Sequence, residues 1–216
     1  CSAKGLNAKQ LAHKFNYKFA CSDENQIFES NDINTVVILT RHNDHARQII
    51  RGLELGMNIY CEKPIGISIE ELLKIKGAFE NSRSTLMVGF NRRFSPFIQK
   101  TKEFLNNSPE PKRIHYRVNA GLLPLNHWLH DHNQGGGRII GEGCHFIDLC
   151  LFLAESKPVS VHTVGLPNLG KYKDDNVIIT IKFEDGSIAT IDYLANGDKS
   201  VEKEYLEIFS GGRVIQ

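Results

Sequence analysis

Between residues 6 and 15 the apolar side chains Leu6, Ala8, Leu11, Ala12 and Phe15 include three- and four-residue spacings, and Asn7 is a good N-cap residue. That pattern predicts a short helix. Phe19 and Ala20 read as a small strand, and residues 23–30 as a second short helix. From Thr35 to Thr40 the run Thr-Val-Val-Ile-Leu-Thr is almost unbroken in β-branched and aliphatic residues, as in a central strand of a parallel sheet covered on both faces. Residues 46–55 are helical in period, with Gly56 as terminator, and 57–61 form another strand. Ser68 with Glu71 three positions on opens a helix over 68–79, and 86–89 read as a further strand. Strands alternating with helices imply right-handed parallel crossovers, hence a doubly wound α/β unit.

Past Gly89 the pattern changes. A helix is predicted over 96–106 and a strand with alternating faces over 113–120. Residues 121–137 are then irregular and rich in His, Asn and Gly, as long functional loops often are. Residues 139–154 are strongly helical, and 160–164, 177–183, 187–194 and 205–209 read as strands, with Glu184-Asp185-Gly186 as a tight hairpin turn. The expected fold class is α/β: a partial Rossmann-like doubly wound parallel sheet in residues 1–90, then an α+β unit with a largely antiparallel sheet in 91–216.

Composition narrows the function. Hydrophobic residues are 41% of 216, enough for a real core. The 26 Lys plus Arg against 25 Asp plus Glu leave +1, too little for the dense phosphate contacts of a nucleic-acid binder. No apolar run approaches the roughly 18–20 residues that span a bilayer, and residues 1–7 place no apolar segment behind a basic start. Membrane insertion and export are therefore not expected. The five cysteines are odd in number and never spaced Cys-x-x-Cys, so neither a disulfide framework nor a Cys-rich zinc site is indicated and a reducing cytoplasm is expected. The chain opens on Cys1 and enters a helical pattern within a few residues, which predicts a fragment of a longer polypeptide.

Three polar clusters fall just after predicted strands or at the start of a predicted helix, where an open α/β sheet places its ligands. Thr40-Arg41-His42-Asn43-Asp44-His45 follows the first strong strand; its plainer reading is a strand-to-helix turn with Asn43 or Asp44 as cap. Glu62-Lys63-Pro64 follows the next, with Lys63 held extended by Pro64 as a candidate general acid or base, or else simply a solvated lysine. The third runs from Gly135-Gly136-Gly137 through Gly141, Glu142 and His145 to Asp148. His145 and Asp148 are three apart on one helix face, and the alternative there is a hinge feeding a buried helix.

In this order, Thr-x-x-x-x-His, Glu-Lys-Pro, Gly-Phe-Asn-Arg-Arg-Phe-Ser-Pro, Gly-Gly-Gly and Gly-x-His-x-x-Asp-Leu closely resemble the glucose-fructose oxidoreductase, inositol dehydrogenase and rhizopine catabolism (Gfo/Idh/MocA) family. The wording around Cys1-Ser2-Ala3-Lys4-Gly5 and His127-Trp128-Leu129-His130-Asp131 looks most like the oxidoreductase domain of bi-domain proteins. In those, a zinc alcohol dehydrogenase-like segment precedes it, often in polysaccharide biosynthesis. The resemblance implies an NAD- or NADP-dependent oxidoreductase acting on a secondary alcohol of a sugar or nucleotide sugar, in a homo-oligomer built through the substrate-domain sheet. It implies cofactor contacts at Ser2, Lys4, Thr40, His42, Asn43, His45, Glu62 and Lys63, and a proton-transferring pair in Lys63 and His145. Arg92 and Arg93 match the pair that opens the substrate domain. Asn126, His127, Trp128 and Asp148 are expected near substrate, Trp128 offering a stacking face and Asp148 orienting the His145 ring.

Two features depart from the family pattern. The Gly-x-Gly-x-x-Gly fingerprint that docks a pyrophosphate on a helix N-terminus does not occur in these residues, and with it goes the side chain that selects NAD or NADP. Where the family often has an aspartate four residues before the histidine, this chain has Gly141, while Glu142 would project from another side of the helix. That missing carboxylate favours a rival reading, a non-catalytic sugar-binding or oligomerisation module. A metal-dependent hydrolase using His127, His130, Asp131 and His132 is a weaker rival, because the four lack the helical i, i+4 spacing of a zinc motif; no metal is expected.

Overall fold

A computed structural model describes residues 1–105 and 110–216. The first half builds a three-stranded parallel sheet from β1 (Thr35–Ile38), β2 (Asn58–Cys61) and β3 (Leu86–Val88), in that order. It is preceded by α1 (Gly5–Phe15) and the single turn α2 (Asn25–Phe28), and its strands are linked by α3 (His42–Glu54) and α4 (Ile69–Glu80). Alternation sets the packing. Val36, Ile38, Ile59 and Cys61 point into a core closed by Ile49 and Leu53 of α3, while Val37 is 59% exposed on the opposite face.

The second half folds around a six-stranded sheet. Its strands are β4 (Arg113–Asn119), β5 (Pro158–Gly165), β6 (Asn176–Phe183), β7 (Ile188–Leu194), β8 (Glu204–Ser210) and β9 (Arg213–Ile215), in spatial order β5-β6-β7-β4-β8-β9. Every pairing is antiparallel except β4 with β7. One face buries Ile114, Tyr116, Ile191 and Tyr193 against Phe146 and Leu149 of α6 (Cys144–Ala154). Between the halves run a 3₁₀ turn at Arg92–Phe94 and α5 (Pro96–Leu105); the predicted end of that helix, Asn106, lies outside the described residues.

Several expectations need correction. Residues 19–20 form no strand, because that apolar pair has no neighbouring strand to bond. Helix α1 starts at Gly5 with Lys4 as N-cap, so Asn7 lies inside it. The apolar run from Thr35 is an edge strand with one face covered, rather than a central one: among the described residues no layer packs on the side of Val37. Helix α3 begins at His42, four residues earlier than its apolar period implied, with Arg41 as N-cap. Asn43 and Asp44 thus sit in the first turn, where the Asp44 charge suits the helix dipole. The single helix expected over 139–154 opens with a π-helical segment, Ile139–Gly143, before α6. Strand β9 adds to the expected strands, and Gly211 and Gly212, both at positive φ, make its hairpin turn.

The cap at Ser68 takes a variant form of the predicted box. Its hydroxyl accepts from the Glu71 amide at 3.2 Å, and the Glu71 carboxylate reaches back to the Ile67 amide at 2.7 Å.

Candidate active site

Strand β2 ends at Cys61, and the chain leaves it through Glu62 and Lys63, with a cis bond between Lys63 and Pro64. One imidazole ties this exit to the one after β1. His45, 1% exposed, faces the Pro64 carbonyl with Nδ1 at 2.7 Å and the Thr40 carbonyl with Nε2 at 3.0 Å. His45 therefore braces the two loops from behind, and its ring is not open to a ligand. The Thr40 hydroxyl is likewise engaged, donating to Gln48 Oε1 at 2.7 Å.

The Lys63 side chain crosses to the second half of the molecule. Its ammonium donates to the Gly141 carbonyl at 2.6 Å, inside the π-helical segment, a backbone form found often at functional sites. Two histidines share its surroundings. His145, at the start of α6, is 8% exposed, and among the described residues its Nδ1 has no hydrogen-bond partner. Burial, then the charges of Lys63 and Arg92, push it down to about 4. His42 donates from Nδ1 to the Gly135 carbonyl at 2.8 Å; burial lowers its pKa, the Gly135 bond opposes this, and Lys63 adds to the lowering. At neutral pH the Lys63 ammonium thus acts on two uncharged imidazoles.

The absence of a side chain at residue 141 has a steric reason. A Cβ on Gly141 would lie 2.6 Å from Leu129 Cδ1 and 2.9 Å from His42 Cε1. Glu142 does project elsewhere, accepting from Arg138, Lys203 and the Tyr193 hydroxyl; these bonds outweigh its burial and hold its carboxyl down at about 2.

Glu62 lies at the edge of the parallel sheet, accepting from the Tyr60 hydroxyl at 3.1 Å. A Cβ on Gly89, just past β3, would fall 2.8 Å from both Glu62 Oε1 and Tyr60 Oη. The Glu62 carboxylate and the Tyr60 hydroxyl thus fold over Gly89 at the carboxyl ends of β2 and β3, a cradle whose carboxylate suits a ribose hydroxyl. That cradle fits the nicotinamide-ribose end of a dinucleotide. Ser2 and Lys4, expected with the cofactor, lie at the entry to α1; the Ser2 amide donates to the Cys21 carbonyl, and neither residue bonds to the Lys63 group.

The loop over 121–137 docks on the first turn of α3. The Gln134 carbonyl accepts from the Asn43 amide at 3.2 Å, and the Gln134 side chain accepts from Arg41 at 2.8 Å. The Arg41 guanidinium lies over the Trp128 ring, whose edge meets His42 with centroids 4.9 Å apart. A cavity of about 580 Å³ opens there, lined by Arg41, Asn126, His127, Trp128 and Lys173. Asn126, His127 and Trp128 are thus brought to one surface beside His42. The four residues of the metal reading diverge: His127 Nδ1 accepts from the Leu129 amide, His130 is buried, the Asp131 oxygens take Asn133 and Gln134, and His132 is exposed. Among the described residues no three His, Cys, Asp or Glu side chains gather to hold a metal.

The acidic and basic residues around α6 are paired within the protein. Arg92 binds Glu204, which also accepts from the Tyr116 hydroxyl, and Arg93 binds Asp148 through both carboxylate oxygens. The orienting role expected of Asp148 does not hold, because its carboxylate turns to Arg93 and leaves His145 Nδ1 without a partner. Arg92 and Arg93 lock the first helix turn after β3 to α6 and β8, and their charge is neutralised before any substrate arrives.

These buried histidines make stability depend on pH. For His145 the folded value, about 4, lies below the ordinary 6.5, so the unfolded chain binds the proton more readily. Its contribution is complete above pH ~6.5, declines as pH falls, and is gone below about 4; within that window it costs up to ~1.4 kcal/mol per pH unit. Denaturant melts at pH 7, 5.5 and 4.5 are expected to show this slope, and His145→Gln to flatten it. An unchanged slope in the variant would place the acid sensitivity elsewhere.

A parallel sheet whose strand ends meet a lysine and two histidines at the seam with a mixed sheet is matched by family models in both of its halves. Residues 1–90 match the profile "Oxidoreductase family, NAD-binding Rossmann fold", and residues 110–208 match the "GFO/IDH/MocA C-terminal domain". The chain belongs to the Gfo/Idh/MocA family. It is 29% identical over 196 residues to scyllo-inositol 2-dehydrogenase (NAD(+)) of Bacillus subtilis, covering 86% of this chain and 55% of that protein. It is 23% identical over 219 residues to myo-inositol 2-dehydrogenase of Thermotoga maritima, covering 96% and 63%. The structure of levoglucosan dehydrogenase in complex with NADH and levoglucosan superposes with a TM-score of 0.84 at 25% identity, over 97% of this chain and 60% of that one. The chain therefore spans somewhat more than half the length of the relatives it matches. Among the described residues no helix is long and apolar enough to cross a membrane.

Proposed function

We propose that the protein containing this chain is an NAD(P)-dependent dehydrogenase of a sugar or cyclitol secondary alcohol, with Lys63 as its general acid and base. The observation that carries this reading is the Lys63 ammonium at the exit of β2, anchored at 2.6 Å to the Gly141 carbonyl beside His145. A nicotinamide ring, when bound, supplies the hydride acceptor or donor. Glu62 would hold its ribose in the cradle at Gly89, with Tyr60 fixing the carboxylate. The pyrophosphate-binding glycine turn does not occur in these 216 residues, so cofactor affinity is assigned to the whole protein.

Lys63 keeps two N–H donors free after its bond to Gly141, enough to meet a substrate hydroxyl. In the oxidation direction the amine form of Lys63, one proton short of the ammonium, would take the hydroxyl proton as the carbon gives its hydride to the nicotinamide; in the reverse direction the ammonium would give that proton to the carbonyl oxygen. His145, uncharged and with an unpaired Nδ1, is free to bond the same oxygen or its neighbour. Calorimetric titration of NADH and NADPH into the whole protein, followed by NAD⁺ reduction assays with cyclitols and anhydrosugars, tests the reading. Saturable cofactor binding with polyol-dependent reduction is expected; absence of both would remove it.

A further inference from the structure

We propose that His42 is a substrate-contacting residue: its Nε2 accepts a hydrogen bond from a second hydroxyl of a vicinal diol, occupying the space a side chain at residue 141 would need. The inference rests on the dehydrogenase reading above and narrows its substrate to alcohols with a neighbouring hydroxyl. It also moves His42 from the cofactor, where the family resemblance put it, to the substrate.

The tautomer follows from one contact. The Gly135 carbonyl, 2.8 Å from Nδ1, is only an acceptor, so Nδ1 carries the proton and Nε2 of the uncharged ring presents a lone pair. No hydrogen bond takes that lone pair among the described residues. The ring cannot swing away: Gly135 holds one nitrogen, the Trp128 edge packs on it at 4.9 Å between centroids, and His45 lies 5.8 Å off on another side.

Position follows from the glycine. His42 Cε1, bonded to both ring nitrogens, lies 2.9 Å from the point where a Gly141 Cβ would stand, and the carbonyl of that same residue takes the Lys63 ammonium at 2.6 Å. Imidazole and lysine thus meet across one residue, with His145 one helical turn further along. Counting donors explains the need. A diol brings two O–H groups: Lys63 takes the proton of the one that reacts, and its remaining N–H groups only donate, so the neighbouring O–H needs another acceptor. The Gly141 carbonyl is already bonded to Lys63, which leaves the imidazoles, His145 beside the reacting hydroxyl and His42 for its neighbour. A lone alcohol would use Lys63 and His145 and leave His42 idle.

The test uses the whole protein, with myo-inositol and levoglucosan as probes and cyclohexanol as a single-hydroxyl control. With NADH saturating, His42→Ala is expected to weaken calorimetric binding of the two polyols about tenfold, the worth of one buried hydrogen bond, while NADH affinity stays unchanged. Cyclohexanol should not distinguish the variant from wild type. Adding Gly141→Asp to His42→Ala, with the Leu129 side chain turning aside from the new Cβ 2.6 Å from its Cδ1, restores an acceptor and should recover polyol binding. Should that pair fail to fold, His42→Asn decides instead: its amide oxygen keeps an acceptor, and it should bind polyol better than His42→Ala. Equal loss in both single variants, no recovery in the folded double variant, equal loss of NADH, or no polyol binding at all would each overturn the proposal. The two readings fail separately: polyol turnover that persists at wild-type efficiency in His42→Ala removes only this inference, whereas no polyol turnover in wild type removes the dehydrogenase reading as well.

Discussion

Replacing Lys63 with methionine is expected to abolish polyol-dependent NAD⁺ reduction, by about 10³-fold or more if proton transfer runs through the ammonium, while NADH binding persists. Methionine keeps much of the length and the apolar stem, so the β2 exit and the Pro64–His45 contact should survive. What is lost is the positive charge that acts on both His42 and His145, together with the bond to Gly141. That loss has a second readout, independent of turnover. The Lys63 charge helps to lower the pKa of both histidines, so both should rise in the variant, though burial, the largest cause, keeps them below 6.5. Titration of the histidine ring signals by NMR would show it. Turnover that survives Lys63→Met, with the His145 shift in place, would mean that the proton leaves by another route.

The legibility of this chain divides by range. Local signals read well: the Thr35 run gave a strand, Ser68 with Glu71 a capped helix, and Glu184-Asp185-Gly186 a turn, with Gly186 at positive φ. Each of these is settled by neighbours within a few residues. Contacts across the chain were not legible. Asp148 was placed by its spacing beside His145, yet its partner is Arg93, 55 residues away, because a carboxylate with a guanidinium in reach gains two charge-assisted bonds where a histidine offers one. The start of α3 at His42 hid behind polar residues, since periodicity registers a helix only where its apolar face begins. Lys63 and His145 could be named as a pair from the family's motif order. That His42 belongs with them depends on a carbonyl 93 residues downstream, and no spacing in the sequence carries that. Gly141 stood out only as a missing carboxylate, and the crowding by Leu129 and His42 supplies its physical reason.

That carbonyl belongs to a glycine packed directly on backbone atoms, and Gly135→Ala is expected to cost roughly 3 kcal/mol, the upper part of the range for overpacking. An added Cβ would lie 2.4 Å from both Cα and O of Leu129 and 2.6 Å from its carbonyl carbon. All three are backbone atoms, so no rotamer change relieves the clash and the loop itself must move. Two bonds go with it: the Gly137 amide to the Leu129 carbonyl at 2.9 Å, and the Gly135 carbonyl to His42 at 2.8 Å. The variant should therefore unfold at lower denaturant and also weaken polyol binding as His42→Ala does, because the carbonyl that fixes the His42 tautomer has shifted. Gly77→Ala is the control. It lies within α4 with nothing inside 4 Å of the new Cβ, and alanine there should stabilise by about 0.5–1 kcal/mol through helix propensity alone. If Gly135→Ala melts with wild type while Gly77→Ala behaves as expected, the loop over 121–137 does not dock on α3 through this contact. The fixed tautomer of His42 would then lose its support.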